Sequence, residues 1–402
     1  MATEVRPVTR DRKQPEAPID PATEPIESQD SESNIYIASQ WTLVWRKFRK
    51  HKLAMLGGVV TILIYLVALF AEFLAPFDPG AFAANYTYAP PQPLSLFVET
   101  EAGRQFLPHV KGYKVEVDPV ALRRTFVVDE EQIVPVRFFA KGTPYKLWGL
   151  IPWDMHLIAP TEFDGDPDRI VTPMYLMGAD RLGRDVLSRM IFGTRISMTI
   201  GLVGVTMSFV LGIALGGLSG YYGGILDDVI QRIIEFLRSI PDIPLWMGLA
   251  AALPSSWPPL RIYFGITIIL SLIGWTGLAR VVRGRFLSLR TEDFVMSARL
   301  DGNSEWRTIW VHMVPSFFSH IIASLTLSIP GMILAETALS FLGLGLRPPI
   351  VSWGVLLQEA QNIRSVATAP WLLWPGLAVV VAVLALNFLG DGLRDAADPY
   401  GR

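Results

Sequence analysis

The chain has 402 residues, of which 51% are hydrophobic and only 18% charged, against about 25% charged in an average soluble domain. With 35 basic and 37 acidic side chains the net charge is −2, which offers no field for a polyanionic partner. The mean hydropathy of +0.36 excludes a disordered chain and an ordinary soluble enzyme, and the absence of cysteine excludes disulfide frameworks, thiolate zinc sites and cysteine nucleophiles.

Residues 1–34 are rich in Pro, Glu, Asp, Thr and Ser; such a segment buries too little apolar surface to order itself and reads as a disordered tail. A basic cluster, Arg46, Lys47, Arg49, Lys50 and Lys52, precedes an apolar run over residues 53–74. About 20 apolar residues match the hydrocarbon thickness of a bilayer, and the basic flank predicts a cytoplasmic N-terminus. The first segment of the membrane unit is therefore 35–77. Residues 78–177 form a long connection with alternating stretches such as Lys114-Val115-Glu116-Val117 and Phe126-Val127-Val128. These read as short strands of an external, β-rich insertion.

Five more runs are long enough to span, over 196–217, 225–253, 262–282, 321–346 and 371–389, so residues 178–402 form a five-helix core. The run at 225–253 is interrupted by Arg232, Glu235, Arg238, Asp242, Pro241 and Pro244 and reads as a kinked helix. Six crossings in all return the C-terminus to the cytoplasm. Arg280, Arg283, Arg285, Arg290, Arg299 and Arg307 lie between the fourth and fifth spans, in agreement with a cytoplasmic loop there. Arg181, Arg184, Arg189 and Arg195 fall on the opposite side, only partly offset by Asp180 and Asp185. Trp353, Trp371 and Trp374 read as interfacial anchors.

The sequence carries no G-x-x-x-x-G-K-[ST], H-E-x-x-H or G-x-S-x-G string, and its five histidines show no ligand spacing. The chain is thus expected to be a conduit without catalytic residues, metal or bound cofactor. The informative segment is the loop 291–315. A first short helix is expected to close at Gly302, where a left-handed residue ends a helix. Ser304 can cap a second helix, stopped at Pro315. The residues admit two readings: an amphipathic hairpin on the membrane surface, or a rigid element presented to a soluble partner.

Ala298 and Gly302, with Pro315 thirteen positions later, resemble the coupling loop of ABC-importer permeases, in which E-A-A-x-x-x-G precedes a terminal L-P. The strings Gly183-Arg184-Asp185-Val186-Leu187-Ser188-Arg189, Ser340-Phe341-Leu342-Gly343-Leu344-Gly345 and Leu389-Gly390-Asp391-Gly392-Leu393-Arg394-Asp395, followed by Asp398-Pro399, are similar to the second, C-type permease of the dipeptide/oligopeptide/nickel importers. The chain departs from that pattern at Met296 and Ser297, which stand at the positions of the family's Glu and first Ala.

The resemblance implies an all-α polytopic membrane protein with six transmembrane helices of the type I ABC importer kind, plus the β-rich external insertion. It implies a permease subunit in a prokaryotic inner membrane. The expected partners are a second homologous permease, two cytoplasmic ABC ATPases that use ATP and Mg, and an external binding protein. Ser297, Ala298, Asp301, Gly302 and Pro315 would then form the ATPase-coupling loop. Oligopeptides or dipeptides are the expected cargo; oligosaccharides, glycosides or nickel are the alternatives within the family.

Glu336 lies deep in the fifth span, either on a translocation path or as a helix-packing partner. Gly212, Gly216 and Gly220 have the small-xxx-small spacing of closely packed helices. A gradient-driven secondary transporter is the more remote reading; it needs broken helices in inverted halves or a chain of intramembrane carboxylates, and only Glu336 qualifies.

Overall fold

The computed structural model describes residues 40–100, 103–117, 119, 124–160, 169–254 and 256–397; the expected tail at 1–34 and the Asp398-Pro399 pair lie outside them. Helix α1, Gln40–Lys50, carries most of the basic cluster. It packs Phe48 against Ala54 and Ala396, so the basic flank is itself a helix fastened to the C-terminal end of the bundle. His51 caps the next helix, α2, Lys52–Leu69, by accepting from the Ala54 N–H at 3.1 Å. This helix breaks at Phe70 and resumes for one turn over Ala71–Leu74, shortening the expected first span.

Four antiparallel strands follow in simple sequential order: β1 Ser95–Thr100, β2 Gly103–Val117, β3 Arg124–Leu147 and β4 Ile151–Pro160. They are a β insertion between the first two long helices. Two of the strands are far longer than the short ones expected. The first half of β3 pairs with β2, Val127 opposite Lys114, and its second half pairs with β4, Lys146 opposite Pro152. Val110, Val134 and Val136 point into a core closed by Phe77, Ala83, Met174 and Tyr175. The sheet is thus packed on the two chain segments that flank it.

The long helices are α3 Val186–Tyr222, α6 Pro259–Leu289, α8 Phe318–Phe341 and α10 Trp374–Ala397. With α2 these give five helices long and apolar enough to cross a membrane among the described residues. The run at 225–253 corrects the expectation of a single kinked span. It is two helices, α4 Gly224–Ser239 and α5 Asp242–Ala251. Ile240 between them is extended because Pro241 crowds the helical conformation of the residue before it. At 1.5 Å per residue α5 is about 15 Å long, half a bilayer.

Small residues let these helices approach. A Cβ on Gly212 would meet Leu278; on Gly216 it would meet the Ala279 carbonyl, and on Gly220 the Arg283 carbonyl and Phe286. All three therefore lie on the seam between α3 and α6. Gly57 of α2 stands in the same way against Ala385 of α10, and Gly201 of α3 against Ile333 of α8.

The bundle has two unlike ends. The sheet end holds Asp185, which caps α3 by accepting from the Ser188 N–H and hydroxyl at 2.7 and 2.6 Å. Burial pushes its carboxyl up to about 6, with the Ser188 hydrogen bonds opposing. The arginines that looked misplaced are paired here. Arg184 and Arg189 reach Asp180 at 2.6 and 3.5 Å, Arg181 reaches Glu359 at 3.2 Å, and Arg195 reaches Glu72 at 2.5 Å. Trp353, expected at an interface, is instead buried, its indole donating to the Met190 carbonyl. Trp371 packs on Gly178 and donates to the Ala179 carbonyl.

Candidate functional site

At the other end of the bundle lies the loop singled out in the sequence. Helix α7, Asp293–Leu300, has Asp293 in its first turn and Arg299 in its last, each complementing the helix dipole. Gly302 takes φ +78°. Its N–H donates to the Arg299 carbonyl at 3.0 Å, and the Asn303 N–H donates to the Ala298 carbonyl at 3.2 Å. This paired closure is the Schellman arrangement. A Cβ at Gly302 would find nothing within 4 Å, so the backbone angle alone requires glycine.

Ser304 then caps the next helical stretch by accepting from the Arg307 N–H at 3.4 Å. That stretch widens into a π-helix over Thr308–Met313 and continues through Val314–Ser316. Pro315 sits in this last turn without stopping it; the break comes at Phe317, with φ −126°. The expected stop is therefore displaced by two residues, because Pro is tolerated in the first turn of a helical segment.

The inner face of the loop is packed. Val295 and Met313 join Tyr221, Val282, Phe286 and Ile321 in one core. Arg299 lies 4.7 Å over the Tyr221 ring, and the Tyr222 hydroxyl donates to Glu305 at 2.6 Å. The loop is thus clamped to the ends of α3 and α6. Of the residues expected to form the docking element, Ser297, Asp301, Gly302 and Pro315 are exposed and Ala298 is buried.

The outer face carries what the sequence reading passed over. Leu300 is 86% exposed and Trp306 71%, with Phe294, Met296, Trp310 and Val311 also open. Trp306 and Trp310 pair at 5.3 Å between ring centroids. Large apolar side chains exposed together on one short loop, among the exposed charges of Arg299, Asp301, Glu305 and Arg307, are the kind of surface that marks an interaction site. The signal available in the sequence was large apolar side chains sitting among the charged residues of a short polar loop.

Glu336 occupies a different setting. It is wholly buried. It accepts from the hydroxyls of Ser340 and Ser352 at 2.8 Å each and of Ser197 at 3.4 Å. Those hydroxyls in turn accept backbone N–H groups: Leu346 on Ser340, Val355 on Ser352 and Trp353 on Ser197. The carboxylate thereby ties α8, α3 and the short helix α9, Trp353–Leu357, into one knot. On the next turn of α8, Met332 faces a cavity of about 530 Å³ between α3, α5, α6 and α8, as does Ala335. Phe209, Trp246, Gly274, Ser324 and Ser328 also line it. Its lining is uncharged, and the Trp246 indole N–H has no hydrogen-bond partner among the described residues.

Residues 212–400 match the family described as binding-protein-dependent transport system inner membrane component. Residues 39–91 match the N-terminal transmembrane domain of oligopeptide transport permease C. The oligopeptide transport system permease protein OppC of Haemophilus influenzae is 37% identical over 251 residues, 62% of this chain and 75% of that protein. The chain belongs to the binding-protein-dependent transport permeases. The glutathione transport system permease protein GsiD of Pectobacterium atrosepticum is 36% identical over 62% of this chain and 80% of its own length. The dipeptide transport system permease protein DppC of Haemophilus influenzae is 28% identical over 88% of this chain and 93% of that protein. As a permease of this family the chain is a multi-pass membrane component of an ABC importer that works with ATPase and binding-protein partners.

Proposed function

We propose that this permease imports short peptides, and that the loop over residues 291–315 is where partner ATPases drive it. The observation that carries the reading is the apolar outer face of the loop, Leu300 and Trp306 foremost, on a helical pair clamped to α3 and α6. A movable partner can bias a pore only through a rigid contact that differs between its states. In this reading the loop end is cytoplasmic, both termini lie on that side, and the sheet end faces outward. ATP and Mg act at the partner subunits; this chain binds no cofactor and performs no chemistry of its own.

Peptide cargo is supported by the names of the relatives and by the cavity wall, where hydroxyl, indole and apolar groups suit a peptide backbone better than a metal ion. A second, homologous permease completes the pore as a heterodimer. The decisive experiment is purification of the tagged chain from its native membrane in mild detergent. An ATPase pair and a second polytopic chain are expected to co-purify, and Leu300→Asp is expected to release the ATPases while keeping the second permease. Retention of the ATPases at full stoichiometry by that variant would remove the docking role. Recovery of the chain alone, with gradient-driven uptake, would overturn the importer reading.

A further inference from the structure

The β3–β4 hairpin lies beside the outer end of α2 in a defined ladder. At its tip the Trp148 indole N–H donates to the carbonyl of Leu69, the last residue of α2, at 2.7 Å. Further up, the Trp153 ring stacks on Phe73 at 5.9 Å. Above that, His156 Nδ1 contacts the Ala75 carbonyl at 2.6 Å. Successive contacts along the hairpin thus track residues 69, 73 and 75, which lead out of the spanning helix. The tip thus sits at the last residue of the apolar helix, and the stem follows the chain beyond it.

The composition of the tip is unusual for a turn in water. Leu150 is 79% exposed, and Trp148, Ile151 and Trp153 are also open. Trp148 adopts φ +54° beside Gly149 at φ +72°, a conformation that a bulky side chain takes rarely and at a cost. What the position gains is an indole anchored by its N–H, its ring tilted against Phe70 at 6.2 Å and still half exposed, two residues from exposed Lys146. Tryptophan at headgroup level and lysine reaching to phosphate are the side chains that favour a membrane–water interface.

We infer that the β3–β4 tip is a membrane anchor: Trp148 sits at headgroup level and Leu150 and Ile151 enter the outer acyl region of the leaflet beside α2. The occupant of this apolar face is lipid, because the tip is tied through Trp148 to Leu69, and Leu66 and Leu69 are themselves exposed on a helix long and apolar enough to cross a membrane. The anchor fixes the tilt and height of the sheet over the bundle. It does not depend on which face of the membrane carries the sheet, so it stands or falls separately from the proposed orientation.

The natural absence of cysteine makes the test direct. Leu150→Cys, labelled with an environment-sensitive fluorophore in the full-length chain in lipid nanodiscs, is compared with Leu63→Cys on the exposed face of α2 and Glu116→Cys on the exposed part of β2. The label at 150 is expected to be quenched several-fold more by nitroxide lipids than the label at 116, approaching the label at 63, and to resist aqueous iodide. Quenching at 150 that matches position 116 would overturn the anchor. So would shielding from both quenchers, since a protein partner would then cover the tip.

Discussion

The two ends of the bundle solve the same problem, closing helices at a boundary, with opposite chemistry. At the sheet end, Asp180, Arg184, Arg189, Glu359, Glu72 and Arg195 form ion pairs, and Glu336 collects three hydroxyls. Most of the charged groups described there are answered from within the chain, although Asp185 Oδ1 has no hydrogen-bond partner among the described residues. At the loop end the inner face is apolar and packed, and the outer face exposes Leu300, Trp306 and other large apolar side chains among charged ones. One end is closed largely by ion pairs and hydrogen bonds; the other exposes large apolar side chains. The same residue type shows the contrast. Gly216 is required because the Ala279 backbone occupies the space of a side chain, whereas Gly302 is required only for its backbone angle.

Breaking the open end gives the largest expected effect on transport. Leu300→Asp together with Trp306→Ala removes two anchors of the kind that contribute about 2 kcal/mol each to an interface. Uptake and ATPase co-purification should collapse while the melting temperature of the detergent-solubilised chain stays put. Breaking the closed end should do the reverse. Glu336→Ala leaves three buried hydroxyls without their acceptor, at about 1–3 kcal/mol for each group left unpaired, and should lower the melting temperature sharply. Glu336→Gln, which keeps an acceptor, should lose less.

The two glycines separate next. Gly216→Leu overpacks the α3–α6 seam at about 1–3 kcal/mol and should depress stability. Gly302→Ala costs about 1–2 kcal/mol through its left-handed backbone and should loosen the loop, read as faster amide exchange over α7 with little change in global melting. The smallest effect concerns pH. The Asp185 carboxyl, raised from 3.8 to about 6, binds a proton more readily folded than unfolded. Its contribution is therefore full below 3.8 and lost as pH rises through about 6. Asp185→Asn should flatten that slope in a melting series; an unchanged slope would assign it to another group.

The long apolar runs were legible because a bilayer imposes a length on any helix that crosses it. Gly302, Ser304 and the Gly212–Gly216–Gly220 spacing were legible because caps and close packing are decided within a few residues. Three features were not. Pro241 and the charges around it marked an interruption, but whether the run kinks or breaks in two at Ile240 is not decided by run length. Pairing of Arg195 with Glu72, 123 residues away, and of Ser197 with Glu336, 139 away, is fixed by the tertiary arrangement alone. The apolar outer face of the loop was visible residue by residue, but which side of each short helix faces outward depends on how Val295 and Met313 are buried.

Helix α3 runs unbroken for 37 residues from its Asp185 cap to Tyr222, about 55 Å at 1.5 Å per residue. It joins the ion-paired end directly to the Tyr222–Glu305 clamp of the loop. A hydrogen-bonded rod of this length cannot shorten, so a sideways pull on the loop is not absorbed along the way. It must swing the far portion of the helix about its fastened end, and an ångström of displacement grows in proportion to distance from that pivot.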